Sequence, residues 1–397
     1  MRSVLRAMCV VALVGCSDVK APVEPKPTTL APVFPLDKQP QAERPRSSID
    51  RLTITERLET MFGQSMAKVT LPADPFSLSA DAVHPDVACA TESWNGAQCW
   101  LMYTPYKNSN PIFENPAFLS ATDDTTWSTP PQITNPLVPY PGASGYNSDP
   151  DHAFDPGTRR MVQVYRVVAD SFNKIMTMST GNARTWTTPT VAFVERNHDA
   201  VSPTLVIEQD RTAKLWYIRA GARGCDAVSS TVLMRSSKPD ADSRFERAAW
   251  SAPTPVDLTI PGFVIWHFDI TKLPGDRGYL AMIAAYPRGW NCANSDVWLA
   301  SSADGLHWQT YAVPVMWRSM KAARDRGIST WYRGTMHYNS QTDVLDLWPS
   351  ALSKTTWNVY HVGVNLTTTL AILRVAQPAD RGAMMTQSIK AVSFPMP

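Results

Sequence analysis

Five short stretches of this 397-residue chain carry side chains able to do chemistry. They are His84 and Asp86 in AVHPDVACA, Asp149 and Asp151 in SDPDHAF, Ser202 in AVSPTLVI, His267 and Asp269 in IWHFDIT, and Tyr332 and Arg333 in WYRGTMH. Measured at His84, Asp149, Ser202, His267 and Tyr332, the steps are 65, 53, 65 and 65 residues. A pair of carboxylates can protonate a leaving oxygen and activate a water or attack carbon. Histidine moves protons near neutral pH. Arginine grips a carboxylate or sulfate through paired hydrogen bonds. A second set lies in the segments between these stretches: Tyr106, Lys107, Glu114, Arg166, Arg219, Arg223, Asp226, Arg288, Trp290 and Asp296.

Residues spread this widely need a repeating scaffold to bring them together, and the chain contains one. Short apolar runs such as CWLMYTPY, MVQVYRVV, KLWYIRA, YLAMIAAY and VLDLWPSA alternate with Gly, Asn, Asp and Pro turns, the spacing of hairpins in an all-β fold. Tryptophans preceded by Ser/Thr/Asp turns recur at Trp127, Trp186, Trp250, Trp308 and Trp357, at steps of 59, 64, 58 and 49 residues. Two landmarks repeating out of phase at such a period indicate a repeat architecture. The simplest object is a five-bladed β-propeller with one four-stranded sheet per blade. In it, the start of each blade's first strand and the loop between its second and third strands share one face. The two residue sets above then converge on the central channel, where function is expected.

The turn SSADGLHW, ending at Trp308, resembles the Asp-box of sialidase-type propellers, and that resemblance implies a structural role for Asp304 and Trp308. At the level of architecture, residues 80–370 resemble the five-bladed glycoside hydrolases of the arabinanase/xylosidase and invertase-like families. Those enzymes place an Asp on each of blades one and two and a Glu acid on blade three. DPDHAF is similar to the family's D-P-x-x-F, which implies that Asp149 tunes the acid and orients the sugar. Blade one departs: His84 stands where the family has Asp, and Asp86 lies two residues on. Blade three departs further, with Ser202 before Pro203 where the family has its Glu; Glu114, in FENP, is the candidate substitute.

The resemblance therefore implies a glycoside hydrolase-like enzyme with Asp86, Asp149 and Glu114 as catalytic carboxylates. His84, Asp151, His267, Asp269, Tyr332, Arg333, Arg166, Arg219, Arg288 and Trp290 are expected to bind substrate. Sialidases use an arginine triad, so Arg166, Arg219, Arg288 and Arg333 suggest an acidic sugar; the alternative is ion pairing at blade edges. A non-catalytic carbohydrate-binding surface protein is the rival function, and a structural lipoprotein without a sugar ligand is a third. His84, His152 and His267 with Asp86 or Asp269 would make a metal site, but hydrogen-bonded channel lining is the ordinary reading and no metal is assigned. No cofactor is expected, with a Ca2+ or other cation in the axial channel as the one exception considered.

Residues 1–15 read as an export signal, with Arg2 and Arg6 before an apolar stretch that is short for a membrane span. LVGC resembles a bacterial lipobox, which implies lipid on Cys16 and an outer-membrane or cell-surface location. Residues 16–50 are a Pro-rich linker, 51–80 an N-terminal extension in which IDRLTITERLETMFGQ reads as a short helix, and 81–397 the propeller. Cys89, Cys99, Cys225 and Cys292 remain, and in an exported chain they suggest two disulfides, Cys89 with Cys99 across a turn and Cys225 with Cys292. With 37 Lys and Arg against 35 Asp and Glu, the chain offers no general attraction for nucleic acid. A monomer that meets the membrane only through its lipid is expected.

Overall fold

The computed structural model describes residues 52–389 apart from 122–125, 143–144, 170–171, 197–198, 240–244 and 246–248. The signal peptide, Cys16 and the Pro-rich linker lie outside the described residues, as do 390–397. The architecture is a five-bladed β-propeller, built from five antiparallel sheets among those residues. The innermost strands are Ala82–Trp94, Gly145–Asp155, Val201–Ile207, Phe263–Lys272 and Ile328–Asn339. Each lies beside the innermost strand of the next blade, and that of blade five lies beside that of blade one, so the ring closes.

Closure explains why residues 51–80 are not an appendage. Ala67–Lys68 pairs antiparallel with Thr356–Asn365, the third strand of blade five, and supplies that blade's outermost strand. Pairing a strand that precedes blade one with a strand of blade five gives the ring a hydrogen-bonded seam. Blade one departs from the expected four strands. Among the described residues its sheet has three, with isolated bridges Ser120–Ser128 and Thr70–Thr126 at its outer edge. The propeller also ends earlier than expected, at Asn365, where the chain turns helical.

The helix α1 (Ile54–Gln64) forms where the sequence supplies a capping box, Thr53 and Glu56 bonding to each other's backbone N–H. It buries Leu58 and Phe62. With α2 (Lys321–Arg326) and α3 (Leu366–Val375), it shares a core with blades four and five. The other apolar clusters lie between successive blades, where facing sheets exclude water. Cys89–Cys99 and Cys225–Cys292 are disulfide-bonded. Among the described residues no helix is long and apolar enough to cross a membrane.

The turn at Ser302–Trp308 shows how blades are held together. Ser302 Oγ accepts the Gly305 N–H at 2.8 Å, and Asp304 Oδ1 accepts those of Leu306 and His307 at 2.8 and 2.9 Å. Gly305 sits at φ +82, and its carbonyl accepts indole N–H groups from Trp308 of blade four (3.0 Å) and Trp216 of blade three (2.8 Å). A Cβ here would meet Trp216 at 2.7 Å, so only glycine fits.

Candidate functional site on the propeller axis

Every innermost strand carries a register shift where it passes the axis. In blades one to three the irregularity has a common form: His84, Asp149 and Ser202 have φ of 53, 50 and 53 and each precedes a proline. Proline cannot donate to a ladder, so within an inner strand it is tolerated at a bulge. The bulge re-aims side chains, and holding a non-glycine residue at positive φ costs about 1–3 kcal/mol. The three positions are equivalent in three successive blades.

The bulges arrange the axial residues in two tiers. The upper tier is His84, Asp149 and His267, one ligand-capable atom from each lying within 4.8 Å of the others. His84 Nε2 is 3.2 Å from Asp149 Oδ1, and His267 Nδ1 is 3.7 Å from that same oxygen. None of these atoms completes a hydrogen bond, and all are buried. The other carboxylate oxygen of Asp149 is held by Arg166 Nε (3.1 Å) and the Ser202 N–H (3.2 Å). Burial opposes ionisation of Asp149, but Arg166, His84 and His267 outweigh it and hold the carboxyl well below its usual range. Burial, against the pull of Asp149, keeps His267 well below the usual histidine value and so neutral.

Around this tier stand Glu114, Thr104 and Tyr332. His84 Nδ1 lies 3.0 Å from Thr104 Oγ1 and 3.3 Å from Glu114 Oε2. Burial raises the Glu114 carboxyl, with His84 pulling the other way. Tyr332 packs its ring 4.3 Å from that of His267, and its hydroxyl accepts the Trp266 indole N–H at 3.1 Å, leaving the phenolic proton available. Burial keeps that phenol protonated.

The lower tier is Asp86, Asp151 and Asp269, and here all six carboxylate oxygens are engaged. Asp86 receives the His152 N–H (2.6 Å), the His152 ring through Nδ1 and the Thr335 hydroxyl (3.1 Å). Asp151 receives the Leu205 N–H (2.8 Å), the Thr204 hydroxyl (2.7 Å) and Arg333 Nη2 (2.9 Å). Asp269 receives Thr204 (2.7 Å), Thr335 (3.1 Å) and the Met336 N–H (3.3 Å). Each threonine has one proton for two carboxylates. Burial and the neighbouring Asp86 and Asp269 push Asp151 well above its usual value, and burial with Asp86 raises Asp269.

This arrangement corrects part of the sequence reading. Asp86 is not free to act on a substrate, because the bulge drops it below His84 into the satisfied lower tier with Asp151 and Asp269. The four arginines do not converge. Arg166 and Arg333 are buried in ion pairs with Asp149 and Asp151. Arg219, its side chain 45% exposed, is 3.9 Å from both Glu195 and Asp199, and Arg288 is exposed on a loop. Asp296 pairs with Arg318. Sequence reasoning passed over Thr104, Thr204 and Thr335. Thr204 follows Ser202-Pro203 as Asp151 follows Asp149-Pro150, so its place in the repeat was the available signal.

No protein-family model matches the chain. It is 24% identical over 324 residues to an A type blood N-acetyl-α-D-galactosamine deacetylase of Flavonifractor plautii, covering 69% of this chain and 40% of that protein. The chain therefore spans less than half the length of this relative. Among solved structures, an N-acetylgalactosamine deacetylase from F. plautii in complex with blood group B trisaccharide matches with a TM-score of 0.65 and 20% identity, over 79% of this chain and 96% of that one. A xylan β-1,4-xylosidase from Bacillus halodurans matches with a TM-score of 0.51 and 12% identity, over 74% of this chain and 53% of that one. The five-bladed propeller thus has structural neighbours among glycoside hydrolases and a deacetylase of the same fold.

Proposed function

We propose that this protein acts on glycans as a hydrolase of the acetamido group of an amino sugar, with a divalent cation held by His84, Asp149 and His267. The observation that carries this reading is the set of buried nitrogen and oxygen atoms of these three residues that meet without completing hydrogen bonds. What marks them is that one nitrogen of each histidine faces the same Asp149 oxygen, at 3.2 and 3.7 Å. An imidazole, carboxylate, imidazole donor set suits a catalytic zinc-like ion with an open position. Such an ion, when bound, polarises a carbonyl and makes a water more acidic. The likeness to a deacetylase supports the same reading.

The chain's own residues supply the remainder. Arg166 and the Ser202 N–H fix the Asp149 carboxylate, and neutral His267 keeps a lone pair for coordination. Glu114 takes the proton from the attacking water at its carboxylate and returns it to the nitrogen as the C–N bond breaks. Acetate and a free amino sugar leave. Tyr332, whose oxygen is already occupied by Trp266, donates its proton toward the acetamido oxygen as charge develops there.

A second reading is glycosidic cleavage. It is favoured by one observation: Glu114 is pushed up and Asp149 held down, the divergence expected of an acid and its partner. One experiment separates the two. Purified protein is incubated with N-acetylhexosamine-bearing oligosaccharides and with aryl glycosides, with and without a chelator. Acetate release that stops on chelation and returns with Zn2+ or Mn2+ is expected. Reducing-sugar or aryl release insensitive to chelation would overturn the metal reading and restore the glycosidase.

We also propose that the body is exported and lipid-tethered through Cys16, a reading the two disulfides support by fitting an oxidising compartment. Fatty-acid labelling of the native protein that persists in Cys16→Ser would refute it.

A further inference from the structure

Of the fourteen tryptophans, Trp290 alone is exposed, at 48%. It lies between the second and third strands of blade four, Tyr279–Pro287 and Asp296–Ser302. Its loop is held by backbone and side-chain hydrogen bonds and a disulfide. The Trp290 N–H donates to the Pro287 carbonyl at 3.0 Å through a turn with Gly289 at φ +90. The Asn291 side chain caps the helical turn Cys292–Asn294. Cys292 is bonded to Cys225 in the corresponding loop of blade three. The Ala293 carbonyl accepts the Thr330 hydroxyl at 2.7 Å, and the Ser295 carbonyl accepts the Trp331 N–H at 3.3 Å. The loop is thereby tied to the strand whose next residue is Tyr332, on the rim of the axial site.

Between the two disulfide-linked loops lies an open cavity of about 350 Å3. Trp290 and the half-exposed Val228 give it an apolar wall, and Arg223, Asp226, Asn291 and Asn294 a polar one. A pyranose ring matches this pairing. Its C–H face stacks on an indole, while its hydroxyls, each both donor and acceptor, suit side-chain amides, a carboxylate and a guanidinium. The volume falls at the lower end of small-ligand sites. Keeping one indole in water on a cross-linked loop pre-forms the stacking surface, so little order is lost on binding.

We propose that this cleft is a second saccharide subsite, which holds a neighbouring ring of the glycan whose reactive sugar occupies the axis. It rests on the glycan reading above. The test compares initial rates of acetate release from methyl N-acetylgalactosaminide and from a trisaccharide ending in N-acetylgalactosamine, for wild type, Trp290→Ala and Trp290→Phe. Trp290→Ala should lower kcat/KM for the trisaccharide by about tenfold and leave the monosaccharide unchanged, with Trp290→Phe close to wild type. Equal losses on both substrates, or none on either, would overturn the subsite while leaving the axial reading intact. Wild-type protein that neither deacetylates nor binds the two saccharides, by saturation-transfer NMR, would overturn both.

Discussion

The two tiers of the axis are built from the same strands, two residues apart, and are equally buried, yet they differ in what they lack. In the lower tier every oxygen of Asp86, Asp151 and Asp269 is engaged by threonine hydroxyls, backbone N–H groups, His152 or Arg333. In the upper tier His84 Nε2, Asp149 Oδ1 and both nitrogens of His267 complete no hydrogen bond. Leaving buried polar atoms unsatisfied costs about 1–3 kcal/mol each, a cost that a bound cation would relieve. The lower tier clips five blades together; the upper one is where we propose that a cation binds.

The comparison predicts opposite consequences for matched substitutions. The largest effect on stability belongs below. Asp151→Ala leaves the fully buried Arg333 without its carboxylate and should cost about 3–5 kcal/mol in denaturant unfolding. A variant as stable as wild type would mean that the lower tier is not a structural clip. Above, His267→Phe removes two ring nitrogens that complete no hydrogen bond, so in chelator-treated protein the thermal midpoint should hold or rise. Acetate release should nevertheless fall by more than about 100-fold, beyond what loss of a residue supporting a metal ligand costs. Full activity in that variant would end the assignment of a cation to the upper tier.

Smaller effects belong to the rim. Gly305→Ala forces a side chain into a left-handed position against Trp216 and should cost about 1–3 kcal/mol, with kcat/KM unchanged. Asp304→Ala removes the acceptor of two backbone N–H groups and should cost about 0.5–1.5 kcal/mol at neutral pH. Asp304 is held below its usual value: burial works against this, and the hydrogen bonds of His307, Leu306 and Ser302 prevail. Its contribution is therefore complete above the unfolded carboxyl value and lost as pH falls toward the folded one. The stability gap between wild type and Asp304→Ala should close progressively below about pH 4. A gap independent of pH would mean that the turn does not depend on the ionised carboxylate.

The blades were readable because a repeat writes its period into the chain: inner-strand landmarks and outer tryptophans each return once per sheet. The helix from Ile54 was readable from its capping residues. Strand Ala67–Lys68 was not, since two residues have no pattern and their pairing with Thr356–Asn365 joins positions nearly three hundred residues apart. The axial set His84, Asp149, His267 and Tyr332 was found from the repeat. The roles within it were not, because a one-residue bulge decides which of two neighbouring side chains joins the upper tier and which the lower.

By itself, the sequence determined the fold class, the number of blades and the face on which polar side chains gather, because hydrophobic period and turn residues are local properties. Only the tertiary structure decided that Asp86 is consumed by hydrogen bonds, that Arg166 and Arg333 are counter-ions, and that Trp290 stands exposed on a cross-linked loop. Those facts depend on which donors and acceptors from different blades come within about 3 Å of one another. No spacing along one chain specifies that distance.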